Sequence, residues 1–339
     1  MPLATPITEN KMPHVICADT PGGIEVLEWR DVPTPAPGPG EVVVTQTKVG
    51  LNFIDVYMTS GVYPFPDEGP QIPGGEAAGF VSAIGEGVSD LNIGDRVAYT
   101  TPNGAYREER VMPADRLVRL PDDVSDEIAA AAMLKGMTVE YLLNRSFKVK
   151  PETTVLCHAA AGGVGLIAGQ WLRHIGATSI GTVGSDDKIA AAKAAGYTHV
   201  INYNTTDFAA AVAELTGGKG ADVAYDSVGQ ATYPKTLTCL KKFGLFVSFG
   251  QSSGVIENMM MGDLQKNGSL YAQRPTLFNF IDTKESLAEV SGHLFDMLAN
   301  GHVTIPINQR YALKDVPKAF TALMARQTTG ATIFDTGMA

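Results

Sequence analysis

The sequence predicts an α/β protein in which a doubly wound parallel sheet is joined to a second, β-rich domain. Residues 12–130 contain short apolar runs separated by Gly and Pro turns, a pattern typical of a small, strongly curved β structure. From about residue 153, strand and helix patterns alternate, which indicates a parallel sheet with helices on both faces. The length of 339 residues suffices for two domains that each bury a core.

The composition makes several classes of partner unfavourable. The formal net charge of −10 disfavours binding to nucleic acid and to anionic membranes, so we expect neither partner. The three cysteines form no metal-binding spacing and no disulfide framework, which favours a cytoplasmic protein. Residues 1–11 are polar and lack the apolar segment of a secretory signal, so we expect a disordered tail.

The β-rich region is predicted to begin with a hairpin and to end with two helices. Asn52 is the expected N-cap of a short helix that Gly61 closes, and Ser125 is the expected N-cap of a later one. The predicted strands are residues 15–18, 25–29, 41–49, 77–84 and 96–99, and the predicted helices are 52–60, 125–134 and 137–145.

The second region is predicted to alternate regularly between strands and helices. Its strands are residues 153–157, 178–183, 199–201, 223–226 and 245–249, with helices at 164–171, 186–195, 208–215 and 233–240. A helix at 284–299, a helix at 316–325 and a strand at 332–335 follow. These last elements are too few for a third domain, so we expect them to return to the first.

The stretch from residue 153 to 171 is a strand, a glycine turn and a helix, the context in which a glycine motif is informative. Gly162 and Gly163 allow the backbone to approach a pyrophosphate, and Gly165 allows the helix to pack closely on its strand. Ala160 stands where the first glycine of the motif is usual. An ordinary tight turn is the alternative interpretation.

The end of the next strand bears on which nicotinamide cofactor binds. NAD-specific sites place a carboxylate there, but this strand ends in Val183, Gly184 and Ser185. Asp186 and Lys188 follow in the first turn of a helix. Lys188 is either a solvated helix lysine or a clamp for the 2′-phosphate of NADPH.

An ordered set of motifs identifies a family that this chain resembles. The chain is similar to zinc-free medium-chain dehydrogenases/reductases, and among them to NADPH:quinone oxidoreductases of the zeta-crystallin type. The matching segments are residues 49–55, 61–64, 75–79, 94–97, 134–138, 158–165, 181–184, 225–229, 247–250 and 268–270.

The resemblance implies a domain plan and a set of cofactor contacts. A GroES-like catalytic domain spans residues 12–133, a Rossmann-type NADP-binding domain spans 134–274, and residues 275–339 return to the catalytic domain. The residues implied or predicted to contact NADPH are Asn52, Asp55, Lys135, Thr138, Gly162, Gly163, Val164, Gly184, Ser185, Lys188, Tyr203, Val228, Phe249, Gly250, Ser252 and Arg326. The resemblance also implies a homodimer, with residues 270–273 as an edge strand.

The expected reaction needs no metal. Zinc-dependent relatives need Cys and His ligands, whereas this chain has either Asn52 or Asp55, together with Glu76, at the corresponding positions. A quinone accepts hydride without such activation, so NADPH-dependent quinone reduction is the leading hypothesis. Asn52, Tyr63 and Tyr57 are the candidates to contact the quinone. Reduction of a 2-alkenal or enone and a nucleotide-loaded binding protein, possibly RNA-associated, remain open alternatives.

Overall fold

The computed structural model describes residues 12–64, 66 and 69–338, so the predicted tail lies outside the described residues. The first part of the chain forms a separate two-stranded sheet, most of a curved sheet whose strands in this part pair antiparallel, and two helices. Its elements are β1 (His14–Cys17), β2 (Glu28–Asp31), β3 (Glu41–Gly50), α1 (Phe53–Ser60), β4 (Glu76–Ile84), β5 (Arg96–Thr100), β6 (Glu109–Pro113), β7 (Val118–Arg119) and α2 (Asp126–Tyr141).

The predicted first hairpin forms, but its second strand starts later than expected. β1 and β2 pair antiparallel, with Val15 opposite Arg30. Residues 24–26 form a 3-10 turn instead of the start of the strand. The Glu25 carboxylate accepts a 2.8 Å hydrogen bond from the Gly23 N–H, which stabilises this turn.

The two helices predicted at 125–134 and 137–145 are a single helix, α2, which continues as a π turn at Leu142–Ser146. The Ser125 side chain caps it as expected. Gly136 does not end the helix. A Cβ at this position would lie 2.4 Å from Leu294 Cδ1, so the glycine permits close packing of a second helix.

The second part of the chain forms a six-stranded parallel sheet of the predicted doubly wound type. Its elements are β8 (Thr154–Cys157), α3 (Gly163–Ile175), β9 (Thr178–Val183), α4 (Ile189–Ala195), β10 (His199–Asn202), α5 (Phe208–Leu215), β11 (Ala221–Asp226), β12 (Leu240–Ser248), α6 (Met261–Lys266) and β13 (Tyr271–Gln273). The strand order is β10-β9-β8-β11-β12-β13. The helix predicted at 233–240 is only a 3-10 segment, Lys235–Cys239, because β12 already begins at Leu240.

The remaining elements are α7 (Lys284–Ala299), β14 (Ile307–Ala312), α8 (Val316–Met324) and β15 (Ala331–Asp335). β15 pairs antiparallel with β3, with Ile333 opposite Gly50, so the end of the chain completes the first sheet. Helix α2 contacts β4, α3 and α7, and its apolar residues share one buried cluster with residues of both sheets. No described helix is both long and apolar enough to cross a membrane.

Candidate active site

The turn between β8 and α3 exposes backbone N–H groups. Gly162 is the N-cap of α3 and Gly163 is its first residue, so the free N–H groups of the first turn point out of the sheet. Ala159 has a φ of 55°, in the left-handed region, as the chain leaves β8. A Cβ on Gly165 would lie 2.3 Å from the Ala159 carbonyl oxygen, so only glycine fits there. This helix N-terminus is suited to phosphate groups.

Other residues predicted to bind the cofactor lie at the same edge of the sheet, where the parallel strands end. β9 and β11 flank β8, and the chain reverses its direction of strand addition between them. A crevice at this point is where ligands bind to doubly wound sheets. The predicted residues that follow β9, β11 and β12 here are Gly184, Ser185, Val228, Phe249, Gly250 and Ser252.

Lys188 and Arg326 meet beyond the end of β9. The Lys188 ammonium group donates a 3.2 Å hydrogen bond to the Arg326 carbonyl oxygen. Tyr203 packs over Gly184, since a Cβ at 184 would lie 2.9 Å from its hydroxyl oxygen. The Asp186 carboxylate instead accepts a 2.8 Å hydrogen bond from Asn202. An ammonium group and a tyrosine hydroxyl at the end of one strand suit a phosphate better than a neutral ribose.

A cavity of about 500 Å³ lies beside Tyr203 and Val228. Lys235 and Asp207 on its wall form a 3.2 Å ion pair. Sequence reasoning did not single out its other lining residues, which are Asn204, Thr205, Thr206, Asp207, Phe208, Ala231, Thr232 and Lys235. The cavity volume is in the range of small-molecule sites.

Asn52, Glu76 and Lys135 form a buried polar cluster between the two sheets. Glu76 Oε1 accepts hydrogen bonds from Asn52 Nδ2 at 2.8 Å and from Lys135 Nζ at 2.6 Å. Its second oxygen accepts from the Leu134 N–H at 2.7 Å. Each polar group of Glu76 is therefore paired, as a buried carboxylate requires. Asn52 is the N-cap residue of α1, as predicted.

Lys135 connects this cluster with the glycine turn. A Cβ built on Gly163 would lie 3.0 Å from Lys135 Cδ, so the lysine stem packs against the N-terminus of α3. Lys135 lies between the two helices predicted at 125–134 and 137–145, but α2 is continuous and extends six residues beyond it, and the side chain is buried. Thr138, one turn further along α2, is also buried. The predicted residues of α1 and α2 thus lie near the predicted phosphate site.

Asp55 lies behind Asn52 and is fully buried. One carboxylate oxygen accepts from the Asn52 N–H at 2.7 Å and from the Tyr106 hydroxyl at 2.6 Å, while the other has no partner among the described residues. Burial raises the pKa of Asp55 to about 7, although these two donors and the Lys135 charge lower it. Through its hydrogen bond with the Asn52 N–H, Asp55 helps to fix the position of Asn52.

Tyr57, in α1, approaches the segment that follows β12, and Tyr63 lies near Tyr57. Burial raises the pKa of Tyr57 to about 12, while the Gln251 backbone N–H and the Arg274 charge lower it and Tyr63 raises it. Arg274 is itself fixed by Ser248 and Gln251. The structure thus brings one predicted acceptor residue, Tyr57, to the segment after β12.

The donor set of this site does not resemble a zinc centre. Glu76 is engaged by an ammonium group and an amide, and Asn52 is a poor zinc ligand compared with Cys or His. Among the described residues, no group of three or more His, Cys, Asp or Glu side chains is placed to hold a metal ion.

The fold and the crevice are those of a medium-chain dehydrogenase/reductase, and comparison with known proteins identifies the branch. A model described as alcohol dehydrogenase GroES-like domain matches residues 38–122, and one described as zinc-binding dehydrogenase matches residues 163–287. Quinone oxidoreductase of Pseudomonas aeruginosa is 47% identical over 313 residues, 92% of this chain and 96% of the relative. The chain belongs to the quinone oxidoreductase family.

Two further similarities bear on the site. The crystal structure of Escherichia coli quinone oxidoreductase complexed with NADPH has a TM-score of 0.92 and 43% identity, covering 95% of this chain and 99% of that one. A Burkholderia protein named 2-haloacrylate reductase is 41% identical over 319 residues, 92% of this chain and 96% of the relative.

Sequence reasoning missed three polar residues of this site. Glu76 was considered only as a position where a metal ligand is absent, yet it pairs with both Asn52 and Lys135. A carboxylate at the start of an apolar strand was the available signal. Tyr106 and Arg274 gave no signal, because one lies within a loop and the other at an expected domain boundary.

Proposed function

We propose that the protein transfers hydride from NADPH to quinones without a catalytic metal. The observation that carries this proposal is the Asn52–Glu76–Lys135 cluster beside the glycine turn. It supplies hydrogen-bonding groups, and no Lewis acid, at the place where an acceptor would meet the cofactor. A quinone is electrophilic enough to accept hydride from such a site. NADPH, when bound, supplies the hydride.

The chain's own residues hold and orient the cofactor. In this proposal, Gly162, Gly163 and Val164 bind the pyrophosphate through backbone N–H groups at the start of α3. Lys135 lies within reach of a ribose beside Gly163, and Asp55 keeps Asn52 in position. Val228, Phe249, Gly250 and Ser252 line the crevice at the ends of β11 and β12, while Thr138 supports Lys135 from within α2.

The 2′-phosphate is assigned to the corner formed by Lys188, Arg326, Tyr203, Gly184 and Ser185. The charge of Lys188 and the Tyr203 hydroxyl both favour a phosphate there. The cavity beside Tyr203 and Val228 would accommodate the adenine. We therefore expect NADPH to be strongly preferred over NADH, and equal kcat/KM for the two cofactors would contradict the proposal.

Asn52, Tyr63 and Tyr57 are assigned to the acceptor. The amide of Asn52 and the two hydroxyl groups can donate hydrogen bonds to a quinone oxygen, where negative charge develops during reduction. Tyr63→Phe should lower kcat/KM for quinones about tenfold, as expected for one lost hydrogen bond to a charged group. Tyr311→Phe, in the C-terminal strand β14, is the control and should change it less than twofold.

Reduction of an activated alkene is the second candidate, supported by the Burkholderia relative named 2-haloacrylate reductase. Steady-state kinetics with NADPH against several quinones, one enone and one 2-alkenal distinguish the two. The proposal predicts the highest kcat/KM for a quinone. Tight NADPH binding without turnover of any acceptor would instead favour a nucleotide-loaded binding protein.

The edge of the nucleotide-binding sheet is assigned to a homodimer interface. β13 is an edge strand, and Tyr271, Met260 and Met261 beside it are 63%, 70% and 81% exposed. A free strand edge with exposed apolar side chains favours pairing with a second copy. Tyr271→Lys should shift the mass measured by light scattering from dimer to monomer, whereas Phe243→Lys, at an exposed irregularity within β12, should not.

We place the enzyme in the cytoplasm. Cys17, Cys157 and Cys239 are buried free thiols, and free thiols are the usual state in a reducing compartment. Localisation of a tagged protein by microscopy and fractionation tests this assignment, and recovery in a membrane or extracellular fraction would contradict it.

A further inference from the structure

Arg274 is a fixed cation at the end of the nucleotide-binding sheet. It directly follows β13, and its guanidinium group donates to the Ser248 carbonyl oxygen at 2.7 Å and to Gln251 Oε1 at 3.2 Å. Both acceptors are neutral. Within residues 12–64, 66 and 69–338, no carboxylate lies within 4.0 Å of this guanidinium. Its charge is therefore not compensated by those residues.

Arg274 is exposed and lies beside the segment assigned to the acceptor end of the crevice. Gln251 lies between Gly250 and Ser252, which are assigned to the cofactor crevice. Tyr57, in α1, approaches the Gln251 backbone N–H, and the positive charge of Arg274 lowers its pKa against the effect of burial. Arg274 and Tyr57 thus both adjoin Gln251, one from the end of β13 and the other from α1.

The phosphates of the cofactor are too distant to be the partner of Arg274. The pyrophosphate site follows β8, and β13 is the third strand away in the sheet. Neighbouring strands are about 4.8 Å apart, which places the two sites about 14 Å apart. Lys188 lies beyond β9, on the other side of β8. Of the anionic groups assigned to this crevice, only one on the substrate is left to pair with this cation.

We propose that Arg274 selects acceptors that carry an anionic group, a carboxylate or a sulfonate, on the molecule that accepts the hydride. A guanidinium held by two neutral acceptors keeps further N–H groups for such an anion, and it matches the planar geometry of a carboxylate. It also offsets locally the repulsion that an anionic acceptor meets from a chain of net charge −10. This inference rests on the proposed function, since it names the substrate class for the same site.

The test compares two acceptors that differ by one sulfonate group, 1,2-naphthoquinone and 1,2-naphthoquinone-4-sulfonate, at saturating NADPH, and the change in their ratio between variant and wild type cancels their different reactivity. Arg274→Gln should lower the ratio of kcat/KM for the sulfonate to kcat/KM for the uncharged quinone about tenfold, the effect of one charge-assisted contact. Arg274→Lys should retain part of the preference. Arg173→Gln, an equal loss of charge on an exposed part of α3, should leave the ratio unchanged. Added salt should reduce the preference of the wild-type protein.

An unchanged ratio in Arg274→Gln would overturn the inference, and so would an equal loss of kcat for both acceptors. If the wild-type protein reduces neither quinone, the proposed function is wrong. In that case a measurement of ligand binding tests the inference about Arg274. Calorimetry on the NADPH-loaded protein should show naphthalene-1-sulfonate binding that Arg274→Gln weakens about tenfold, and equal binding by both proteins would overturn it.

Discussion

The ammonium group of Lys135 lies 2.6 Å from Oε1 of Glu76, and both side chains are buried. This ion pair joins α2 to β4 while the lysine stem rests on Gly163 of α3. It therefore links the curved sheet, the long helix and the glycine turn at one point. A pair in this position contributes to folding and also fixes the geometry of the site.

Lys135→Met should lower the free energy of unfolding by about 3 kcal/mol, because it leaves the buried Glu76 carboxylate without its counter-ion. The double variant Glu76→Gln with Lys135→Met should recover part of this loss. Lys150→Met is the control, because Lys150 is exposed and its ammonium group lies 4.0 Å from the exposed Glu152 carboxylate, which makes a weak ion pair. Denaturant unfolding measures all three, and an equal loss for both single variants would show that the pair adds no stability.

Asp55 should make the protein less stable as the pH rises from about 4 to about 7. Its pKa is raised from 3.8 to about 7 on folding, so in this range the folded state keeps a proton that the unfolded chain has lost. Asp55→Asn keeps a neutral side chain of the same shape. The difference in unfolding free energy between the two proteins should change by about 1.4 kcal/mol per pH unit across this range. A constant difference would indicate an ordinary pKa for Asp55.

Lys188→Ala should raise the KM for NADPH at least tenfold and leave the KM for NADH within twofold, because only NADPH has the 2′-phosphate. Lys193→Ala removes an exposed lysine on the same helix and serves as the control. Steady-state kinetics with both cofactors test this prediction. A parallel rise for NADPH and NADH would instead indicate a structural role for Lys188.

Gly165→Ala should destabilise the protein by more than 2 kcal/mol, because the added Cβ would lie 2.3 Å from one backbone oxygen and 2.7 Å from another. Gly292→Ala, inside α7, meets no atom within 4 Å and should stabilise the protein by about 0.5–1 kcal/mol. Thermal unfolding measures both variants. Similar melting temperatures would show that the turn tolerates a side chain.

The pattern of the sequence was sufficient for the doubly wound sheet and for most element bounds. Short apolar runs alternating with helical periodicity are local features, and β8 to β11 lie within two residues of their predicted bounds, whereas β12 begins five residues earlier than predicted. One error arose where a distant contact decides the local structure, and another where a hydrogen bond within a turn does. Gly136 resembles a helix stop, but Leu294 fills the space beside it. The predicted strand at 25–29 lost its first residues to a turn stabilised by Glu25.

The sequence by itself determined the class of fold, the glycine turn and the absence of an acid at the end of β9, because these depend on residue type and spacing along the chain. Only the tertiary structure decided that Glu76 pairs with Lys135, that Tyr106 donates to Asp55 and that Arg274 binds Gln251. Each of these pairings joins side chains that no local pattern connects. Their burial and charge depend on how the two sheets meet across α2.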